Sequence, residues 1–172
     1  MKEKSIFEYP AIIGYLVKRL LEKHPNKQVG KTLVQKMMYL LSRQGAVNFD
    51  YSMYHYGPYS SEVAGELDFA KSADIVDVTW KEEKGYFIKR GSNMAMFDLL
   101  LNRKKKQALD KLVDKYGHFN AIELSIITTA YFLRDNFGVP EGKLAEVVHD
   151  VKPNHRLEVI QEKLRDAGVI KN

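Results

Sequence analysis

Five histidines are the residues of this sequence best suited to hold a metal ion or to carry a proton: His24, His55, His118, His149 and His155. A zinc protease needs two histidines four positions apart on a helix with a glutamate beside them, and no pair here has that spacing. His149, Asp150 and His155 are close in sequence, but Pro153 separates them and no third ligand is in view. We therefore expect neither a metal site nor a cofactor.

The triplet Gly30-Lys31-Thr32 resembles the end of a phosphate-binding loop, in which backbone amides and a lysine hold a nucleotide. That motif requires a glycine five positions earlier and a preceding strand, whereas this chain has Pro25 there and a helical pattern before it. Neither GxSxG nor GxGxxG occurs. The absence of cysteine excludes a thiolate nucleophile. The sequence therefore predicts that the protein is not an enzyme.

The octapeptide HYGPYSSE (55–62) combines turn residues, rings, hydroxyls and a carboxylate. Gly57 can adopt backbone angles that other residues cannot, and Pro58 fixes φ ahead of a helix. Ser60 or Ser61 can cap that helix, and the helix dipole favours Glu62 in its first turn. We interpret the segment as scaffolding that packs a helix against a strand through Tyr54, Tyr56 and Tyr59. The alternative is an anion held at the same helix N-terminus, which Glu62 disfavours.

Hydrophobic spacing divides the first half of the chain into helices and short β segments. Apolar residues at helical spacing predict helices over 10–24 and 30–44, and a glycine follows the second in the left-handed cap position. Alternation over 47–53 predicts a short strand, and a helix then runs to about Ser72. Two β-rich segments about the turn KEEKG predict a hairpin over 75–90. The order of helix, helix, short strand, helix and hairpin is typical of a winged helix.

The second half is predicted to be helical apart from one ambiguous segment. Residues 94–101, MAMFDLLL, fit either a strand or the start of a helix, and they could pack internally or form a dimer contact. A helix over 103–117 follows, and Asn120 and Glu123 have the spacing of a capping box for the next. Asn154 is expected to cap the last helix. Two short helices complete the chain, over 141–151 and 155–167.

These elements predict an α+β fold, mostly helical, in which an N-terminal winged helix precedes a C-terminal helical bundle. Residues 1–92 are expected to form the winged-helix-like domain. Residues 93–172 are expected to form the helical part packed on it. Because no low-complexity linker separates the halves, we expect one continuous structure.

Two stretches, KTLVQKMMYLL (31–41) and YSMYHYGPYSSEV (51–63), followed by a hairpin, resemble the YwgA-like proteins of bacteria and archaea. They are more distantly similar to the Panacea (SocA-like) domains of toxin–antitoxin systems. VKPNHRLEVIQEKL (151–164) also resembles the family's C-terminal segment. The Panacea resemblance implies a protein-binding role as an antitoxin or adaptor, whereas the YwgA-like group implies no activity. The residues at the family's motif positions are Lys31, Gln35, Lys36, Tyr39, Tyr56, Gly57, Pro58, Tyr59, Ser60 and Glu62.

Composition favours a cytoplasmic protein. The 172 residues include 27 basic and 22 acidic ones, which gives a net charge of +5 and a pI of about 9.2. No apolar segment approaches the roughly 18 residues of a membrane helix, and the N-terminus MKEKSIFEYP is charged where a signal peptide is apolar. The lack of cysteine suits a reducing compartment. We expect a soluble protein that binds no membrane.

Positive charge is concentrated in residues 1–56 and 93–118, on either side of an acidic zone at 57–92. Such a distribution can attract nucleic acid or an acidic protein. The run at 103–106 is also compatible with a merely solvated helix start. Candidate contacts to nucleic acid or a partner are Lys31, Lys36, Lys84, Lys89, Arg90, Arg103, Lys104, Lys105 and Lys106.

The predicted third helix argues against reading of DNA bases in the usual way. It carries Glu62, Glu66 and Asp68 against Lys71 alone, and carboxylates facing phosphates oppose the counterion release that drives DNA binding. Two hypotheses follow. One is a non-enzymatic regulator that binds DNA through its wing and basic clusters. The other is a protein-interaction module of antitoxin or adaptor type that binds an acidic or cognate protein, with a homodimer as a further alternative.

Overall fold

The structure is a computed structural model that describes residues 5–172. The charged residues at 2–4, which contribute to the expectation that there is no signal peptide, lie outside the described residues. The described part contains eight helices and two antiparallel hairpins, so the expected α+β, mostly helical class is confirmed. None of these eight helices is both long and apolar enough to cross a membrane.

The first three helices match those predicted from hydrophobic spacing. The helices α1 (Glu8–Lys23) and α2 (Lys31–Arg43) bury continuous aliphatic faces. Gly45 has a φ of +78° and ends α2 as expected, because a side chain would be strained in that left-handed conformation. The helix α3 (Ser61–Ser72) begins after Ser60, whose Oγ accepts a hydrogen bond from the backbone N–H three residues on. The predicted serine cap is therefore confirmed.

The single strand predicted over 47–53 is wrong. Instead, β1 (Ser52–Tyr54) pairs with β2 (Gly57–Tyr59) in a hairpin of its own, with two residues in the turn. Val47 and Phe49 are buried, but they belong to an irregular segment that has no partner strand. Alternate residues of this segment are buried although it is not a strand. The sequence pattern alone does not distinguish such a segment from a paired strand.

The second hairpin is confirmed. It pairs β3 (Val76–Lys81) with β4 (Gly85–Arg90), and the three residues 82–84 of the predicted turn KEEKG connect them. Ile88 is buried on the face towards the helices, and its backbone N–H donates to the carbonyl oxygen of Val29 at 2.8 Å. This bond attaches the segment between α1 and α2 to the hairpin. The hairpin therefore has a fixed position beside the start of α2.

Five helices follow: α4 (Met94–Asp98), α5 (Arg103–Tyr116), α6 (Ala121–Phe137), α7 (Glu141–Val151) and α8 (Leu157–Asp166). The ambiguous segment MAMFDLLL begins with the short helix α4. Met94 and Leu101 are buried, whereas Met96, Leu99 and Leu100 are exposed. Of the two forms expected for the start of the segment, the structure has the helix, and its residues divide between the interior and the surface.

The helix α6 connects the two halves of the chain. Asn120 and Glu123 form the predicted capping box, with each side-chain oxygen accepting a backbone N–H of the other residue at 2.9 Å. Its apolar face packs on α2 and β2 on one side and on α7 and α8 on the other, while α5 packs on α1. The described halves thus share one core.

Asn154 is not the cap of α8. The helix begins at Leu157, with Arg156 in the N-cap position and no side-chain hydrogen bond to the first turn. The chain around Asn154 continues as a turn, and the Nδ1 atom of His149 lies 2.8 Å from the carbonyl oxygen of His155. This contact fixes the turn, so α8 begins two residues later than the predicted start at residue 155.

Candidate functional site

Two residues of α2 hold the backbone that follows the β1–β2 turn. Gln35 donates from Nε2 to the carbonyl oxygen of Ser60 at 2.9 Å and accepts from the Ser60 N–H through Oε1 at 3.0 Å. Lys36 donates from Nζ to the carbonyl oxygen of Pro58 at 2.8 Å. Because these groups are buried, each bond satisfies a backbone atom that water cannot reach. Gln35 and Lys36 therefore belong with the octapeptide for a structural reason, because they hold its backbone at Pro58 and Ser60.

The C-terminal half holds the same turn from the other side. Ser125 of α6 donates from Oγ to the carbonyl oxygen of Tyr56 at 2.6 Å. Lys152 donates from Nζ to the carbonyl oxygen of His55 at 3.0 Å. Neither Ser125 nor Lys152 was singled out in the sequence. The only signal for Lys152 is its place in the C-terminal segment that resembles the family.

Gly57 allows α6 to approach this turn closely. Its φ is +95°, and a Cβ atom there would lie 2.8 Å from Thr129 Oγ1 and 3.2 Å from the carbonyl oxygen of Ser125. Thr129 Oγ1 is buried and, within residues 5–172, has no hydrogen-bond partner. Glycine is therefore needed here both for its backbone conformation and for space.

Two lysines are buried beneath the octapeptide. Burial, together with the positive charge of Lys152, lowers the pKa of Lys36 to about 7. Burial also lowers the pKa of Lys152. Because only 2% of Lys36 is exposed, it cannot contact a nucleic acid at the surface. This burial argues against a surface contact between Lys36 and nucleic acid, and the bond to Pro58 makes the residue a structural donor.

The tyrosines of the octapeptide do not all pack into the core as expected. Tyr54 is 58% and Tyr56 is 69% exposed. Tyr54 and Tyr59 contact each other with ring centroids 5.1 Å apart. Together with α2 and α3 they line a cavity of about 430 Å³, which we name the tyrosine cavity. The scaffolding interpretation thus fits the backbone but not these rings.

Glu62 has a local structural partner. Its Oε1 atom accepts a hydrogen bond from the backbone N–H of Asp50 at 3.0 Å, while Ser60 accepts from the N–H of Val63. The first turn of α3 therefore carries a carboxylate and a side-chain cap. Both features disfavour the alternative of an anion bound at this helix N-terminus.

A second depression, which we name the aromatic groove, lies between the β3–β4 hairpin, the first turn of α2, the β1–β2 turn and the start of α6. Its volume is about 710 Å³. Three lysines and three large aromatic residues contribute to its lining, and no carboxylate does. These residues are Lys27, Lys31, Lys84, Tyr56, Trp80 and Tyr86.

A third depression, the cationic groove, lies between the same hairpin and the loop after α1, with a volume of about 460 Å³. Its lining contains no carboxylate and four cationic residues, Lys27, Lys81, Lys89 and Arg90. Lys27 donates from Nζ to the carbonyl oxygen of Phe119 at 2.7 Å, and burial lowers its pKa. Positive side chains therefore line a groove on each side of the hairpin, although the hairpin itself also carries the exposed carboxylates Asp77, Glu82 and Glu83.

The cations of the hairpin differ from those of α1 in their partners. Within the described residues, Lys84, Lys89 and Arg90 form no ion pair with a carboxylate. The cations of α1, by contrast, are neutralised by carboxylates of α4 and α5. Lys18 pairs with Asp98, Arg19 with Asp110 and Lys23 with Asp114. The cations of the N-terminal half that remain available to a partner therefore lie mainly on the hairpin.

The basic run at 103–106 does not form one patch. Arg103 and Lys104 are exposed, Lys106 is half-buried, and Lys105 donates from Nζ to the carbonyl oxygen of Ala46 at 2.8 Å. The run lies beside the C-terminal end of α2, whereas the hairpin lies beside its N-terminal end. A helix of 13 residues separates the two groups by roughly 20 Å.

Within residues 5–172, no group of three or more histidine, aspartate or glutamate side chains is placed to hold a metal ion. The positive grooves beside the β3–β4 hairpin are thus the candidate site with the clearest chemistry. They bring together Lys31, Lys84, Lys89 and Arg90 from the predicted contacts, and they add Lys81 and the three exposed rings. No family model matches this chain, and no curated protein is significantly similar to it in sequence.

Proposed function

We propose that the protein is a non-enzymatic nucleic-acid-binding regulator of the cytoplasm, in which residues 1–92 act as a winged helix and the β3–β4 hairpin is the wing. One observation carries the proposal. Both grooves beside the hairpin are lined by lysine or arginine without a carboxylate, and the hairpin cations have no intramolecular ion pair within the described residues. Such a surface can release counterions from a phosphate backbone.

In this proposal the wing makes the contacts and α3 does not. The exposed side of α3 carries Glu62 and Asp68, and a third carboxylate, Glu66, lies between them. Phosphates brought near that helix would meet negative charge at short range, which opposes binding. Contacts through the wing alone favour recognition of the backbone over reading of base edges in the major groove.

The C-terminal helices support the wing indirectly. The carboxylates of α4 and α5 hold the cations of α1, and the wing packs on α1 through β4. Residues 93–172 are therefore proposed to be a helical unit that fixes the body of the winged helix. The wing then presents its charges from a rigid base.

Reversing the wing charges tests the proposal. The variant Lys84→Glu/Lys89→Glu/Arg90→Glu is expected to bind a DNA duplex at least about 100-fold more weakly at 100 mM salt, because each lost phosphate contact removes a counterion-release contribution. The measurement is fluorescence anisotropy of a labelled 20-base-pair duplex. The three side chains are exposed, so the fold should be retained, with a small loss of thermal stability because Lys89→Glu places a second carboxylate opposite Asp77.

The matched control is Arg103→Glu/Lys104→Glu, which reverses two exposed cations at the other end of α2. We expect this variant to bind within about 3-fold of the wild-type protein, because long-range effects at that separation are screened. Equal losses in both variants would show that only net charge matters. That outcome would contradict a wing-specific surface.

A protein-interaction module of antitoxin or adaptor type is a second candidate, and the tyrosine cavity favours it. The cavity combines exposed rings of Tyr54 and Tyr56 with the apolar side of α3, a surface suited to an inserted side chain of another protein. A homodimer contact is a further proposal, and it would be made through the exposed Met96, Leu99 and Leu100. This second function requires that Tyr54→Ala/Tyr56→Ala abolishes binding of the partner while DNA binding is absent in the wild type.

A further inference from the structure

We propose that the aromatic groove binds the unpaired part of a nucleic-acid strand, with a base stacked against Trp80 and the adjoining phosphates beside Lys31 and Lys84. The inference rests on the proposed function and adds to it the form of nucleic acid that the wing selects. It assigns different tasks to the two sides of the hairpin. The cationic groove contacts a phosphate backbone, and the aromatic groove receives bases that are not paired.

The rings of the hairpin form a platform. Trp80 and Tyr86 lie directly opposite each other in the β3–β4 register, and their ring centroids are 4.8 Å apart in an edge-to-face arrangement. Lys31 Nζ lies 4.2 Å from the centroid of Tyr86. Cross-strand pairing and this cation–π contact fix the rings before a ligand arrives.

The platform is exposed although it consists of side chains that proteins usually bury. Trp80 is 63% exposed, and Tyr86 is 38% exposed. The alternation of β3 places Trp80 on the same face as the inward-facing Val78, but beyond the end of the core that Ile88 covers. Because most of the indole is exposed, its large flat surface is available for stacking.

Two further apolar groups face the groove from the body of the protein. Tyr56 is 69% exposed and Ile122 is 61% exposed, and both line the groove. The turn that carries Tyr56 is held by the Ser125 hydroxyl on the Tyr56 carbonyl oxygen. The hairpin anchored by α2 and α6 therefore gives the groove a fixed second wall.

Charge on the groove lining fits a phosphate-containing ligand. Lys31 and Lys84 line it, no carboxylate does, and Lys27 adds positive potential although its ammonium is engaged with Phe119. The first turn of α2 also lines the groove, and Gly30 leaves that turn without a side-chain cap. The positive end of the helix dipole thus strengthens the attraction for an anion.

An unpaired strand uses all of these features together. Bases stack on exposed aromatic rings only when they are free of their own duplex, and stacking is tolerant of base identity. A duplex would engage the lysines but leave the rings without a partner. An acidic peptide without aromatic residues would likewise satisfy the lysines, but it has no flat π surface to cover Trp80.

Trp80 is the single tryptophan of the chain, so its intrinsic fluorescence reports directly on the proposed stacking. We expect titration with a 12-nucleotide oligo-dT or oligo-U to quench this fluorescence with saturation, whereas a 12-base-pair blunt duplex should leave it nearly unchanged. Tighter binding of one of the two oligonucleotides identifies DNA or RNA as the preferred strand.

Substitution separates stacking from charge, with anisotropy of labelled oligonucleotides as the readout. Trp80→Ala should weaken single-strand binding by about 5- to 100-fold, the range of one lost stacked base, and should leave duplex binding within about 2-fold. Trp80→Phe keeps an aromatic face and should recover most of the single-strand affinity. The side chain is exposed, so both variants are expected to fold.

The outcomes distinguish this inference from the proposed function. Duplex binding together with unchanged single-strand binding in Trp80→Ala overturns the inference and leaves the proposed function standing. No binding of either nucleic acid by the wild-type protein overturns both. Quenching by polyglutamate of the same length at equal concentration also overturns the inference, because it would show that the groove selects charge alone.

Discussion

Raising the pH from 7 to 9.5 is expected to increase the free energy of unfolding by up to about 3 kcal/mol because of Lys36. Burial lowers the pKa of this lysine from 10.5 to about 7 in the folded protein. Between these values the unfolded chain binds more protons than the folded one, so stability rises with pH. Below pH 7 the lysine is charged in both states, and the cost of burying its charge is present in full.

Denaturant unfolding of the wild-type protein and of Lys36→Met at pH 7.0 and 9.5 measures this contribution. The variant keeps an unbranched side chain one atom shorter that cannot titrate, so we expect it to gain much less stability between the two pH values. Lys152 and Lys27, whose pKa values are also lowered by burial, leave it a residual gain of the same sign. An equal gain in both proteins would show that Lys36 is not buried as a charged group.

Replacing Gly57 with alanine is expected to lower the free energy of unfolding by about 3 kcal/mol. One part comes from the positive φ of +95°, which disfavours any side chain. The other comes from the approach of α6, since the new Cβ would lie 2.8 Å from Thr129 Oγ1 and 3.2 Å from a backbone oxygen. Denaturant unfolding at pH 7.5 provides the measurement.

Gly45→Ala is the matched control for this effect. Gly45 has a φ of +78°, but a Cβ there meets nothing within 4 Å, so only the backbone strain of about 1 kcal/mol remains. The double variant Gly57→Ala/Thr129→Ala removes the hydroxyl nearest to the new methyl group and should recover part of the loss. Identical losses in Gly57→Ala and Gly45→Ala would refute the close packing of α6 on the octapeptide.

Local sequence signals predicted the helices and, apart from Asn154, their caps, because these depend on neighbouring residues. The serine cap of α3 and the capping box of α6 are examples of such local bonds. The strand over 47–53 failed for the opposite reason. Whether an alternating segment pairs depends on a partner strand, and Ser52 pairs with Tyr59 inside a separate hairpin.

The candidate site was only partly predictable. Lys36 looks like a surface cation in the sequence, and only the three-dimensional position of Pro58 explains why it is buried. The cations of α1 are paired with carboxylates about 80 to 90 positions away in the chain, such as Asp98 and Asp110, and are therefore not free to bind a partner. Separations of that length leave no periodic signal. The cations of the β3–β4 hairpin, in contrast, are close in sequence and remain on the same hairpin in the structure.

The octapeptide was predictable in its backbone but not in the position of its rings. Its backbone is scaffolding, as the turn residues indicate, and it is held by donors from α2, α6 and the residue after α7. Its exposed rings, however, line the tyrosine cavity and the aromatic groove. A sequence pattern distinguishes a turn from a helix, but it does not tell on which side of the turn a ring will lie.

The salt dependence of duplex binding by the wild-type protein tests the central claim most directly. Anisotropy titrations of a 20-base-pair duplex at 50 to 300 mM KCl should give a straight line of log affinity against log salt with a slope of about −4, as expected if Lys31, Lys81, Lys84, Lys89 and Arg90 meet phosphates. A slope near zero, or no binding at micromolar protein in 50 mM KCl, would contradict a nucleic-acid-binding wing.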